Sequence, residues 1–66
     1  MQVTVNGAMV ELGDGATVAD LVAARAVGHD RVAVARNGDV VPRSSWAQTP
    51  LAPGDAVEVL APTAGG

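Results

Sequence analysis

The sequence predicts an α+β domain in which a mixed β-sheet packs on one helix and a flexible tail follows the last strand. Three observations predict it: an Asn-Gly hairpin near the start, one amphipathic helical segment after it, and three short strand segments in the second half. At 66 residues the chain has room for one domain. Its hydrophobic fraction of 48% is too high for a disordered chain, so we expect it to fold.

The first twelve residues predict a β-hairpin. Asn6-Gly7 lies between two alternating runs, and Asn-Gly is the preferred pair for a two-residue type I′ turn because both positions need positive φ. This turn pairs Val5 with Ala8 and sets the register of the residues beyond them. The apolar residues that this register places on one core-facing side are Met1, Val3, Val5, Ala8, Val10 and Leu12.

The segment that follows the hairpin predicts a helix of about ten residues. Thr17 suits the N-cap, and Asp20 stands at the third helical position, where a carboxylate stabilises the helix N-terminus. Gly28 suits the position just after the helix. The stripe expected to face the sheet consists of Val18, Leu21, Val22 and the methylene stem of Arg25.

A near-continuous apolar run over residues 32–36 predicts a buried strand. Asn37-Gly38 turns the chain into a shorter strand at Val40 and Val41, and Pro42 ends that strand. Residues 44–49 predict a single helical turn. Its Trp46 is expected to cover one end of the core, as a lone tryptophan in a small domain usually does.

The last predicted strand spans residues 56–60, after a tight turn with Pro53 and Gly54 at its centre. Alternation directs Val57 and Val59 toward the helix and Leu60 away from it. Leu60 is therefore predicted to be an exposed apolar residue beside the tail, and a contact for a partner enzyme.

Composition excludes several function classes. The net charge of −3, with four Arg and no Lys, argues against nucleic acid as a partner. The absence of cysteine excludes a thiolate metal site, and we expect no metal. The single histidine, His29, is predicted to lie in a solvated loop. The first residues lack a basic segment and a long apolar run, so we expect no membrane association and a cytoplasmic location.

The predicted order β-β-α-β-β-turn-β is that of the β-grasp, or ubiquitin-like, roll. Over essentially all 66 residues the chain resembles the small sulfur carrier proteins of thiamine biosynthesis, the ThiS family. The motifs that carry the resemblance are Asn6-Gly7, Thr17-Val18, Ala33-Val34, Val41-Pro42-Arg43 with Trp46, Gly54-Asp55 and Gly65-Gly66. One departure is Pro62, which stands where family members usually carry an apolar strand residue, so we expect the last strand to stop earlier.

The resemblance implies a β-grasp domain over residues 1–61 and a flexible tail over residues 62–66. It implies that an E1-like adenylating enzyme uses ATP and Mg²⁺ to adenylate Gly66, and that a sulfur donor system such as a cysteine desulfurase then yields a thiocarboxylate. Thiazole synthase would consume that sulfur. Leu60, Ala64 and Gly65 would contact the partner enzyme, and the absence of Cβ at Gly65 and Gly66 would let the backbone pass close to a nucleotide. The chain itself would be a protein co-substrate with no bound cofactor.

Two other interpretations remain open from the sequence. A related carrier for molybdopterin or cysteine synthesis would share the fold and the chemistry of the tail. A non-covalent β-grasp interaction module would have an incidental Gly-Gly at a frayed terminus. An enzyme is disfavoured, because the sequence has no cysteine, one isolated histidine and no paired carboxylates at a spacing that suggests acid-base catalysis.

Overall fold

The computed structural model describes residues 1–25 and 32–60. In chain order the elements are β1 (Gln2–Val5), β2 (Ala8–Glu11), α1 (Val18–Arg25), β3 (Ala33–Arg36), β4 (Asp39–Val41), a 3₁₀ helix (Arg43–Gln48) and β5 (Ala56–Leu60). The five strands form one sheet in the order β2-β1-β5-β3-β4. The β1–β5 pair is parallel and the other pairs are antiparallel, so the sheet is mixed. A mixed sheet with its last strand at the centre and one helix packed on it confirms the predicted β-grasp roll.

The first hairpin has the predicted turn and register. Asn6 and Gly7 have φ values of 52° and 85°, as a type I′ turn requires. Val3 pairs with Val10 and Val5 pairs with Ala8. Five of the six residues predicted to face the core are buried or half-buried, but Ala8 is exposed. The prediction is wrong for Ala8 because this residue lies next to the turn on an edge strand.

The helix begins with the predicted N-cap, Thr17, which forms a capping box with Asp20. The Thr17 hydroxyl accepts a hydrogen bond from the Asp20 amide at 3.2 Å, and the Asp20 carboxylate accepts one from the Thr17 amide at 2.9 Å. The buried residues of α1 are Val18, Leu21 and Val22. Arg25 is exposed, so its stem does not cover the core; its charge lies in the last turn, where a cation suits the helix dipole. Gly28 and His29 lie outside the described residues.

Strand β3 is buried on one face only. Val34 is buried and the preceding Val32 is too, whereas Ala33 between them is exposed. The prediction of a buried strand is therefore correct for the face of Val32 and Val34 only, because α1 covers a single side of the sheet and leaves the other to solvent. A second type I′ turn, with φ values of 51° at Asn37 and 87° at Gly38, leads into the edge strand β4.

The connection from β4 to β5 closes one end of the core. Trp46 is half-buried, packs against the core and donates its indole N–H to the Val41 carbonyl at 2.9 Å, which confirms its predicted place. The turn before β5 is closed by the Asp55 amide, which donates to the Ala52 carbonyl at 3.1 Å, with Gly54 at a φ of 86°. The buried apolar core comprises Val3, Val5, Val18, Leu21, Val22, Val32, Val34, Leu51 and Val57.

Candidate functional site

Leu60 ends the central strand on the side of the sheet that the helix leaves open. It pairs with Ala33 of β3, and 62% of its surface is exposed. Val57 is buried and Val59 half-buried on the opposite side of the same strand. The predicted orientation of Leu60 is thus confirmed, while its contact with a partner enzyme stays a prediction. The other residues assigned to the site, Ala64, Gly65 and Gly66, lie outside the described residues.

Leu60 belongs to a continuous apolar area on the open face of the sheet. Ala33 lies opposite Leu60, and Ala35 lies opposite Val40 of the edge strand. Neighbouring strands are about 5 Å apart, so these side chains adjoin one another. Val40 is the most exposed large apolar residue of the described chain, at 77%. We call this area the apolar patch, and its members are Ala33, Ala35, Val40 and Leu60.

One carboxylate borders the apolar patch. Glu58 lies opposite Ala35 on the same face and is exposed. Within residues 1–25 and 32–60 none of the ion pairs involves Glu58. An apolar centre with a charge at its rim is the usual composition of a protein interface.

Two asparagine side chains hold β5 at its two ends. Asn6 binds Val59: its side-chain oxygen accepts from the Val59 amide at 2.9 Å, and its side-chain nitrogen donates to the Val59 carbonyl at 3.1 Å. Asn37 binds the start of the strand, where its side-chain oxygen accepts from the Ala56 amide at 2.9 Å. Each asparagine is the first residue of an Asn-Gly turn, so one dipeptide shapes a hairpin and also secures the central strand.

Asp55 anchors the start of β5 through a partly buried ion pair with Arg36. Only 7% of the Asp55 surface is exposed. Its carboxylate accepts from the Arg36 guanidinium at 2.8 Å, the Asn37 amide group at 3.0 Å and the Ala52 backbone N–H at 2.8 Å. Burial by itself raises the pKa of Asp55, but these hydrogen bonds outweigh it and hold the pKa below its ordinary value of 3.8. Asp55 is therefore ionised at neutral pH. Its carboxylate oxygens accept the three hydrogen bonds that hold the start of β5 in place.

The described residues supply little chemistry of their own. They contain no group of three or more His, Asp or Glu side chains placed to hold a metal ion. Every buried side-chain polar atom among them has a hydrogen-bond partner. The helices in the described part of the chain are too short or too polar to cross a membrane. The arrangement is suited to binding another protein beside the end of β5.

The sequence predicted Leu60 but not the rest of this site. Val40 was assigned only to a short strand, although the turn at Asn37-Gly38 sets the register that places it beside Ala35. The roles of Asn6 and Asn37 toward β5 were missed, because the residues that they bind lie far away in the sequence. The ion pair of Asp55 does not follow from the motif Gly54-Asp55, because Arg36 lies 19 residues away.

Comparison with known proteins identifies the family. The model of the ThiS family matches residues 3–66. The chain belongs to the ThiS family. A crystal structure of the thiamine biosynthesis protein ThiS from Geobacter metallireducens is 35% identical, with a TM-score of 0.83 and full coverage of both chains. A solution structure of a thiamine biosynthesis protein from that organism is also 35% identical, covers all of this chain and 88% of its own, and has a TM-score of 0.80.

A longer protein is also similar over part of its length. Thiazole synthase from Paramagnetospirillum magneticum (strain ATCC 700264 / AMB-1) is 36% identical over 66 residues. The alignment covers all of this chain and 20% of that relative, so the chain spans about a fifth of its length. The ThiS-like region is thus one part of that protein.

Proposed function

We propose that the chain carries sulfur as a thiocarboxylate on Gly66 and donates it for thiazole formation in thiamine biosynthesis. The observation that carries the proposal is the ThiS family match over residues 3–66, a range that includes Gly65-Gly66. The names of the similar solved structures support the pathway. The thiazole synthase relative, which contains a ThiS-like region, supports thiazole synthase as the acceptor.

Activation follows from the chemistry of a carboxylate. A carboxylate is a poor electrophile, so an E1-like adenylating enzyme uses ATP and Mg²⁺ to attach AMP to Gly66 and releases pyrophosphate. Persulfide sulfur from a sulfur donor system such as a cysteine desulfurase then attacks the acyl carbon and displaces AMP, and a thiol reductant supplies the two electrons that cleave the resulting acyl disulfide to the thiocarboxylate. The chain acts as a co-substrate in this sequence, and ATP and Mg²⁺ belong to the activating enzyme.

The apolar patch is the surface that the partner enzymes contact. It lies on the open face of the sheet and includes Leu60, the last residue of β5. Docking there removes apolar surface from water, which is the main favourable contribution to protein association. Docking also holds the segment after Leu60, with Ala64, Gly65 and Gly66, at the active site of the partner.

Intact-mass analysis tests the sulfur chemistry directly. The protein is isolated from cells that express its pathway, and its mass is compared with that calculated from the sequence. A shift equal to one oxygen replaced by sulfur, located by fragmentation at Gly66, is the expected result. A mass without this shift, in cells that make thiamine by this route, would contradict the proposal.

The acceptor is tested separately from the carrier chemistry. Thiocarboxylated protein is supplied to thiazole synthase with its other substrates, and sulfur transfer is followed by loss of the mass shift. We expect transfer to thiazole synthase. Transfer instead to a molybdopterin or cysteine synthesis enzyme would keep the carrier function and replace the acceptor. No modification together with stable binding to a partner would favour a non-covalent interaction module.

A further inference from the structure

The end of β5 is held on its β1 side by a side chain and not by a strand. Along the parallel ladder the Thr4 amide donates to the Asp55 carbonyl at 2.9 Å, and the Asn6 amide donates to the Val57 carbonyl at 2.9 Å. Each step of this ladder advances two residues on both strands, so Val59 is the next residue of β5 that would pair with β1. Strand β1 has already ended in the turn at that point. The Asn6 carboxamide takes the place of the missing strand and pairs with both the N–H and the C=O of Val59.

Only asparagine meets both demands on position 6. A type I′ turn needs positive φ, which favours Asn, Asp and Gly. Glycine has no side chain to reach Val59. Aspartate has an acceptor but no donor when ionised, and would set a carboxylate oxygen against the Val59 carbonyl. The φ of 52° at Asn6 and its two hydrogen bonds to Val59 together account for the residue.

Asn37 offers a matched comparison within the same chain. It has a φ of 51° and precedes a glycine, as Asn6 does. Its carboxamide binds the opposite end of β5, where Asp55 is also bound by Arg36 and by the Ala52 amide. The Val59 end has no such network in the described part of the chain. Loss of the Asn6 carboxamide therefore loosens β5 at Val59, next to the tail. Loss of the Asn37 carboxamide removes a hydrogen bond at Ala56, at the start of the strand.

We infer that Asn6 is a positioning residue for the activation of Gly66. By fixing Val59 it fixes the end of β5, after which the segment that contains Gly66 begins. Because docking holds the segment after Leu60 at the active site of the partner, a loose strand end misplaces Gly66 there, and misplacement of about 1 Å can slow a positioned reaction about a hundredfold. This inference rests on the proposed function, since it concerns the same reaction.

The test compares Asn6→Gly with Asn37→Gly, because glycine keeps each type I′ turn and removes only the carboxamide. Amide hydrogen exchange followed by NMR reports on the Val59 N–H itself. We expect the exchange of Val59 to accelerate at least about tenfold in Asn6→Gly and to stay at the parent rate in Asn37→Gly. Thermal unfolding by circular dichroism sets a temperature at which both variants are folded.

The second measurement is pyrophosphate exchange with the cognate adenylating enzyme, ATP and Mg²⁺. For Asn6→Gly we expect kcat to fall about tenfold or more, with a smaller change in KM, because binding through the apolar patch persists while alignment is lost. Asn37→Gly is expected to keep the parent values. A purely structural role for the carboxamides would leave kcat unchanged in both variants at a temperature where they are folded.

Three results overturn the inference. Parent-like exchange of Val59 in Asn6→Gly would show that the carboxamide does not hold the strand. Faster exchange of Val59 with unchanged kcat would show that the strand end does not position the reaction. Equal losses of kcat in both variants would assign the effect to general stability. Absence of pyrophosphate exchange with the parent protein would instead refute the proposed function, and amide exchange would still decide whether Asn6 holds β5.

Discussion

Replacement of Leu60 tests whether the apolar patch binds the adenylating enzyme. Full burial of a leucine side chain contributes about 1.5–3 kcal/mol. In the free protein 62% of the Leu60 surface is exposed, and docking can bury this exposed part. Its burial would contribute about 1–2 kcal/mol to the binding free energy. Leu60→Ala should therefore weaken binding about 5- to 25-fold. Leu60→Arg should weaken it further, because docking would also have to remove water from a charge.

Binding is measured as the Kd for the adenylating enzyme by calorimetry, and as the KM for this chain in pyrophosphate exchange. Leu60 is exposed, so either replacement should change the free energy of unfolding by about 0.5 kcal/mol or less. Met9 provides the control: it is 69% exposed and lies on the same open face, but on the far edge strand β2. Met9→Ala should leave the Kd near the parent value. A parent-like Kd for Leu60→Arg would remove Leu60 from the interface and refute the assignment of the patch.

Three further predictions concern the core, an anchoring ion pair and the reacting terminus. Val3→Ala or Leu21→Ala, each at a site that is almost fully buried, should cost about 1–4 kcal/mol and lower the melting temperature by several degrees; melting within about a degree of the parent would show that the core is misassigned. Because the folded-state pKa of Asp55 lies below 3.8, its stabilising contribution is present above about pH 4 and is lost as pH falls through the lowered value. The difference between the unfolding free energies of the parent and Asp55→Asn in urea should therefore be largest at pH 7 and shrink as the pH falls below 3.8; a difference that does not change with pH would refute the role of the charge. One residue added after Gly66 moves the carboxylate by up to about 3.5 Å and should abolish pyrophosphate exchange without a change in the circular dichroism spectrum, and exchange at the parent rate would show that this carboxylate does not react.

Local chemistry explains what the sequence predicted well. The type I′ turn at Asn6-Gly7 depends on two adjacent residues, and the capping box depends on Thr17 and Asp20, which are three residues apart. Alternation in β5 predicted the exposure of Leu60 because one helix covers one face of the sheet. Each of these features follows from spacing within a single element.

The missed features depend on contacts between distant segments. Asn6 and Val59 are 53 residues apart, and no local pattern links them. The exposure of Ala33 follows from which face the helix covers, which an apolar run alone does not reveal. Val40 joins the apolar patch only once β4 pairs with β3 and β3 pairs with β5. Most of the candidate site was therefore hidden because it is assembled from three strands.

The central place of β5 has a consequence for synthesis of the protein. The two hairpins, β1–β2 and β3–β4, do not pair with each other, and both pair with β5. The chain is made from its N-terminus, so the sheet cannot close until the ribosome has released residues 56–60. A product truncated before that point would contain two hairpins with no strand between them to complete the sheet, and an isolated hairpin is at best marginally stable in water. Proteases would remove such products, and the copies that persist would be those that contain the strand leading to Gly65-Gly66.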